Sequence, residues 1–242
     1  MRHCGAVLWA AVAATVAQGA QALDADRVFA AGPVAQLAAA AASGDAARVR
    51  SLAGRPADVN ARGRDDVTLL QWALLNRSAS GLQALLEAGA DASQPGVDGA
   101  TVMHLAAAAD DAVYLQTLLA HRADPGVRHA RTGATPLMAA ITAGRAAQVR
   151  LLLDAKTDLG AADGQGDTAL HMAAKINDGA AVLALLQAGA DPLARNRRGV
   201  TFQRYLAMTP ERVLSADARR QRQAVDEWLQ AHRIAREPTG NR

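Results

Sequence analysis

Residues 166–192 read GDTALHMAAKINDGAAVLALLQAGADP. A threonine opens an apolar run, a histidine follows three places on, and a second Leu-rich run closes on Gly-Ala-Asp. The stretch is either one helix pair of an enzyme core or one copy of a repeated unit. That choice decides how His171 is read. A histidine that occurs once is a candidate for chemistry, whereas one that recurs at a fixed period is a candidate for structure.

Self-similarity along the chain settles the choice. Threonines that open an apolar run stand at Thr68, Thr101, Thr135, Thr168 and Thr201, separated by 33, 34, 33 and 33 residues. A second ladder runs through Asp58, Asp91, Asp124, Asp158 and Asp191, separated by 33, 33, 34 and 33. Each rung keeps its context: TLLQWA, TVMHLA, TPLMAA and TALHMA in the first ladder, EAGAD, AHRAD, DAKTD and QAGAD in the second. These residues resemble the ankyrin repeat, whose copies run to about 33 residues and carry a Thr-Pro-Leu-His-x-Ala pattern. Residues 168–173 depart from that pattern at the proline; Met138 and Gln71 stand in the histidine place of two other copies, and TFQRYL keeps only the threonine.

The residues support the same reading on physical grounds. Threonine suits a helix N-cap, and Pro136 suits a first helical turn, where a missing N–H costs nothing. A first short helix is expected at 136–143 and a second at 146–155. In the second, Val149, Leu152 and Leu153 share one stripe, as Val182, Leu185 and Leu186 do in the next copy. Neither helix of a pair can bury its apolar face alone, so the pairs must stack. The expected fold is all-α, an ankyrin-repeat solenoid of about six helix-turn-helix repeats with finger loops. Its expected parts are an atypical capping repeat at 34–66, four repeats at about 67–99, 100–133, 134–166 and 167–199, and a closing repeat at 200–236. The closing repeat should end in a long basic helix reaching about Arg236, with Val225, Trp228 and Leu229 on one face. Residues 237–242 read as a disordered tail.

Before the repeats, residues 1–22 read as a cleaved export signal, followed by a lead-in at 23–33. Arg2 precedes the apolar GAVLWAAVAATVA, and Ala20-Gln21-Ala22 supplies the small-x-small pattern at which a signal peptidase cuts. The apolar run is too short to expect a membrane span. Cys4 lies ahead of that run, so cleavage leaves a chain with no thiol. The expected location is the periplasm, and resemblance to exported bacterial ankyrin proteins implies the same.

Composition bounds the chemistry further. Half of the residues are hydrophobic but only 3% are aromatic, so Ala and Leu carry the apolar content and helices can pack closely. Residues 23–194 hold 14 Lys/Arg against 18 Asp/Glu, while residues 195–242 hold 11 against 5. The basic ARRQRQ at 218–223 could touch phosphate or an anionic surface, but it lacks interleaved aromatics and reads as the solvated face of the last helix. His104 and His171 recur at one motif position, where the resemblance implies that the imidazole ties neighbouring loops together. His121, His129 and His232 lie in separate segments without metal-ligand spacing. DGQGD at 163–167 lacks the third glycine of a dinucleotide loop and the spacing of a calcium loop. Asp110-Asp111 reads as a solvated helix start. No catalytic residue, metal or cofactor is expected.

Function is therefore expected from surface. By the family's usual contact positions, the candidate protein-binding residues are Arg64, Asp65 and Val67 in one finger and Val97 and Asp98 in the next. Arg131 and Thr132, then Gln165 and Asp167, then Arg197 and Arg198 continue the series. Asn76, Asp110, Lys175 and Asn177 join them from first-helix ends. Their mixed charge implies a protein partner recognised by pattern, bound by a monomer with no role for nucleic acid and at most peripheral membrane contact. Thr68, Thr101, His104, Thr135, Pro136, Thr168, His171 and Thr201 are the structural motif. Two settings are implied: an immunity or inhibitor protein, or a helper of an envelope enzyme. The alternatives are a hydrolase or metalloenzyme on a repeat scaffold, and a membrane-surface scaffold using the basic helix.

Two irregularities carry their own expectations. The distance from each aspartate to the next threonine is 10, except 11 from Asp124 to Thr135, which places one extra residue within 125–134. Gly89 and Gly189 suit a left-handed residue just past a helix end, yet Arg122 and Lys156 occupy the same place.

Overall fold

A computed structural model describes residues 25–54 and 57–237. The expected signal at 1–22, the first two residues of the lead-in and residues 238–242 lie outside the described residues. Among those described, the chain is all-helical, with thirteen α-helices, three short 3-10 turns and two isolated β-bridges. It divides into two compact units, one up to Ala90 and one from Asp91.

In the first unit a short α1 (Ala25–Val28) leads into two helical hairpins, α2 (Pro33–Ser43) with α3 (Ala46–Leu52), and α4 (Leu69–Leu75) with α5 (Ala79–Glu87). The hairpins pack against each other through α2, which touches both α4 and α5. Trp72 is the centre of this core. Its indole N–H donates to Ala38 O at 3.0 Å, and Phe29 meets its ring edge-on at 5.5 Å. Gly81 permits the approach of α5 to α2: a Cβ there would lie 1.9 Å from Ala41 O.

The second unit holds three complete hairpins and a longer closing pair. They are α6 (Val102–Ala108) with α7 (Val113–Ala120), α8 (Pro136–Thr142) with α9 (Ala146–Asp154), α10 (Ala169–Lys175) with α11 (Gly179–Gln187), and α12 (Phe202–Met208) with α13 (Ala216–Ala231). First helices pack in file, α6 on α8, α8 on α10, α10 on α12, and second helices α9 and α13 pack on α11. The expected first and second helices at 136–143 and 146–155 end one residue sooner, at Thr142 and Asp154.

Both ladders now have a physical cause. Thr68 and Thr135 accept from the N–H of Gln71 and Met138 at 3.2 and 3.3 Å, closing the start of each first helix. Every ladder aspartate turns the chain out of a second helix by accepting a backbone N–H two residues on: Asn60, Ser93, Gly126, Gly160 and Leu193, at 2.8–2.9 Å. Just before that turn sit the left-handed residues, Gly89 and Gly189 at φ 88° and 94°, and Arg122 and Lys156 at φ 60° and 55°.

The closing helix stops at Ala231 rather than near Arg236. His232 and a left-handed Arg233 (φ 58°) turn the chain back. Val225 and Leu229 are buried while Trp228 is half-buried and stacks on the His232 ring, centroids 3.8 Å apart. Glu237, which the sequence reading assigns to the tail, accepts from Thr201 N and Oγ1 at 3.0 and 2.6 Å.

Candidate functional site

Each finger is a tight hairpin closed by a backbone bond across its base. Gly63 N to Val67 O, Gly96 N to Ala100 O, Asp163 N to Asp167 O and Asn196 N to Val200 O span four residues, at 2.8–3.1 Å. The finger after α7 closes from His129 N to Ala134 O, spanning five. The extra residue of the sequence therefore lies between His129 and Ala134, inside the hairpin. Within the second unit the fingers join into a ladder: Ala130 N to Gly99 O, Gly164 N to Thr132 O, and Arg197 N to Gln165 O, at 2.7–3.1 Å.

The finger base repeats one device with different side chains. Asp163 Oδ1 accepts Gln165 N and Asp167 N, and Asn196 Oδ1 accepts Arg198 N at 2.9 Å and Val200 N at 3.4 Å. His129 does the same through Nδ1, accepting Arg131 N and Thr132 N at 3.3 and 3.4 Å. A ring nitrogen that accepts carries no proton, so this imidazole is neutral.

His104 and His171 tie each finger to the first helix before it. His104 Nε2 lies 3.0 Å from Ala134 O and Nδ1 3.3 Å from Thr101 N; His171 repeats this with Val200 O at 3.1 Å and Thr168 N at 3.2 Å. A carbonyl can only accept, so Nε2 carries the proton and Nδ1 accepts from the threonine. Burial pushes the His104 imidazole down to about 4, the neighbouring His129 adds to the fall, and the bond to Ala134 opposes it. Burial lowers His129 as well.

The candidate contact residues sort into three groups. Arg64 and Asp65 in the first unit, and Asp98, Arg131, Thr132, Gln165, Arg197 and Arg198 in the second, are exposed at finger tips, with Val97 half-buried beside Asp98. Val67 and Asp167 are only 5% and 1% exposed, which corrects the expectation that they meet a partner. Val67 packs beneath its finger. Asp167 is the hub of a buried network: Oδ2 takes Lys175 Nζ, Oδ1 accepts Asn196 Nδ2 at 2.7 Å, and Asn196 also reaches Tyr205 Oη at 2.7 Å. The helix-end residues are engaged internally. Asn76 Nδ2 donates to Trp72 O, Asp110 pairs with Arg145, and Asn177 bonds Thr209 Oγ1 and Arg222. Asp111 accepts Val113 N at the start of α7. The network residues Asn196 and Tyr205 carry no sequence signal beyond their place in the period, and were missed.

Finger hairpins and capped first helices at a period of about 33 residues, with imidazole ties in two of the copies, define a repeat protein. A family profile described as ankyrin repeats, in three copies, matches residues 37–129 and 103–196, and the chain belongs to that family. Ankyrin repeats are protein–protein interaction modules. A curated relative, Protein PhlB of Serratia liquefaciens, is 50% identical over 141 residues, 58% of this chain and 62% of that protein. The chain thus spans less than two thirds of that relative's length. Among solved structures, the ankyrin repeat domain of Bcl-3, a member of the IkappaB protein family, superposes with TM-score 0.65 at 29% identity, covering 69% of this chain and 75% of that one. The ankyrin repeat protein EF0377 gives 0.63 at 26%, covering 72% and 92%.

Proposed function

We propose that the chain is a non-enzymatic module that binds a partner protein through its finger tips and the adjoining first-helix faces. The observation that carries this is the ladder of backbone bonds from Gly99 to Arg197, which holds exposed tip side chains in fixed order without using their polar ends. A surface ordered before binding loses little entropy when a partner docks. In this reading residues 1–22 direct export to the periplasm. There the protein occludes a toxic effector as an immunity protein or assists an envelope enzyme.

Capture from an envelope fraction tests the binding face. Gln165→Trp and Thr132→Trp place bulk on exposed tips, block any partner regardless of its charge, and should abolish retention of a discrete protein that the parent retains. Equal retention by both variants, at unchanged melting temperature, would sink the reading. A fusion of residues 1–30 to a reporter active only outside the cytoplasm tests export, and an inactive reporter removes it.

A further inference from the structure

We propose that the partner segment met by the last finger of the second unit is acidic, and that Arg197 and Arg198 are the side chains that recognise it. The inference rests on the protein-binding reading above and specifies the chemistry of the partner.

Charge along these fingers is unevenly satisfied. Residues 96–100, 128–134, 163–167 and 195–200 carry five arginines and three aspartates. All three aspartates are engaged: Asp98 with Arg131, Asp163 with the N–H groups of its own finger, and Asp167 with Lys175 and Asn196. Arg128 reaches Ala162 O, and Arg195 bonds Gly199 O and Glu237. Of these five arginines, only Arg197 and Arg198 have guanidinium groups without a partner among the described residues, and both are exposed.

The finger that carries them is held from several sides. Asn196 caps it from inside and is itself held by buried Asp167 and by Tyr205 Oη. Arg197 N is bonded to Gln165 O, and the Arg197 side-chain stem lies against Gly166, where a Cβ would come within 3.1 Å of Arg197 Cγ. Two unpaired guanidinium forks on a fixed backbone are suited to carboxylates, which they can grip in bidentate geometry. Exposed apolar side chains stand at the ends of the two helices to which this finger is tied through Asp167 and Tyr205. Tyr205 lies under Lys175 Nζ at 4.8 Å; Met208, one turn further along α12, is 70% exposed, and Ile176 beside Lys175 is 43% exposed. The occupant that fits is a segment of a partner protein whose Asp or Glu side chains meet the finger while its apolar side chains cover Met208 and Ile176.

A random dodecapeptide library panned against the full chain tests this. The selected peptides should be enriched in Asp and Glu together with apolar residues. Their affinity should fall roughly tenfold or more in Arg197→Glu/Arg198→Glu and as salt rises from roughly 0.05 to 0.5 M, and Arg→Lys at both sites should restore part of it. The thermal melt of the double variant should match the parent, since neither guanidinium holds the fold. Peptides without an acidic excess, or bound equally by the double variant, overturn the proposal. If such peptides still lose binding on Gln165→Trp, the protein-binding face stands and only its acidic specificity falls. A library that enriches nothing above the double-variant background overturns it too. So does Arg197- and Arg198-dependent binding of phosphatidylcholine–phosphatidylglycerol vesicles with no acidic peptide selected, which would make this a lipid-facing patch.

Discussion

The imidazoles of His104 and His129 meet edge to face, with 5.5 Å between ring centroids and 82° between planes. Each ring accepts backbone N–H groups at Nδ1, so a proton added there would turn an acceptor into a donor facing a donor. The two rings hold both ends of the hairpin that contains the extra residue. Its stability is therefore expected to depend on pH. His104 titrates at about 4 in the folded chain and at 6.5 when unfolded. Between those values the unfolded chain binds a proton that the fold refuses, so stability is full above pH 6.5 and falls as pH drops towards 4. For a side chain only 1% exposed, the loss attributable to His104 is about 3 kcal/mol. His129 acts in the same direction. Melting temperatures of the parent and His104→Gln, measured from pH 7.5 to 4.5, check this. Gln71 already serves at the same motif position, accepting Thr68 N at 3.3 Å, so the variant keeps the acceptor and loses the proton site. Its profile should be flatter; an identical profile would remove His104 as the cause.

Arg122 and Lys156 take the left-handed conformation that Gly89 and Gly189 take in neighbouring copies. A side chain there costs roughly 1–2 kcal/mol, and part of this is offset because glycine makes the unfolded chain more flexible. Arg122→Gly and Lys156→Gly are each expected to add about 0.5–1 kcal/mol, worth roughly 1–4 °C in melting temperature. If both variants melt lower, the cost of the left-handed side chain is not what limits these turns.

Much of this was legible in the sequence because repetition multiplies a weak local signal. A lone Thr before an apolar run says little, whereas Thr68, Thr101, Thr135, Thr168 and Thr201 at one spacing place five helix starts, and the structure has a helix after each. The extra residue after Asp124 was localised for the same reason. What a period cannot show is where a side chain turns. Asp167 and Gln165 occupy one finger two residues apart, yet one is buried against Lys175 and Asn196 while the other is open to solvent. The candidate surface read as a mixed-charge series because the period places Asp98 and Arg131 on neighbouring fingers, but does not show that their side chains turn towards each other and pair. Likewise the chain after α13 turns back at Arg233 and brings Glu237 to Thr201, a contact between segments with no shared pattern.

Gly81 sets the approach of α5 to α2 in the first unit. A methyl group at this position would overlap Ala41 O at 1.9 Å and Ser78 Oγ at 2.6 Å, and backbone on the opposing helix cannot yield as a flexible side chain can. Gly81→Ala should destabilise by about 2–4 kcal/mol despite the better helix propensity of alanine. Urea unfolding read from the fluorescence of the buried Trp72 measures it. An unchanged midpoint would mean the two helices separate freely.

Asp167 is a buried carboxylate held by two neighbours, the Lys175 ammonium, which pairs with its charge, and the Asn196 amide, which donates a hydrogen bond. Asp167→Ala leaves the Asn196 amide short of one acceptor and the Lys175 ammonium without its ion, so a loss of about 2–4 kcal/mol is expected. Lys175→Met should cost a comparable amount, because it strands a carboxylate whose side chain is only 2% exposed, whereas the lysine side chain stranded by Asp167→Ala is 33% exposed and can be solvated. The two substitutions together should cost less than their sum, since the second removes the charge that the first strands. Hydrogen exchange gives a local readout. The amides of Arg198 and Val200, which Asn196 Oδ1 accepts, should exchange faster in Asp167→Ala while those of Gln71 and Met138 stay protected. If Arg198 and Val200 exchange at the parental rate, the last finger is held by its backbone bonds and the His171 tie, and the buried network has no part in presenting its arginines.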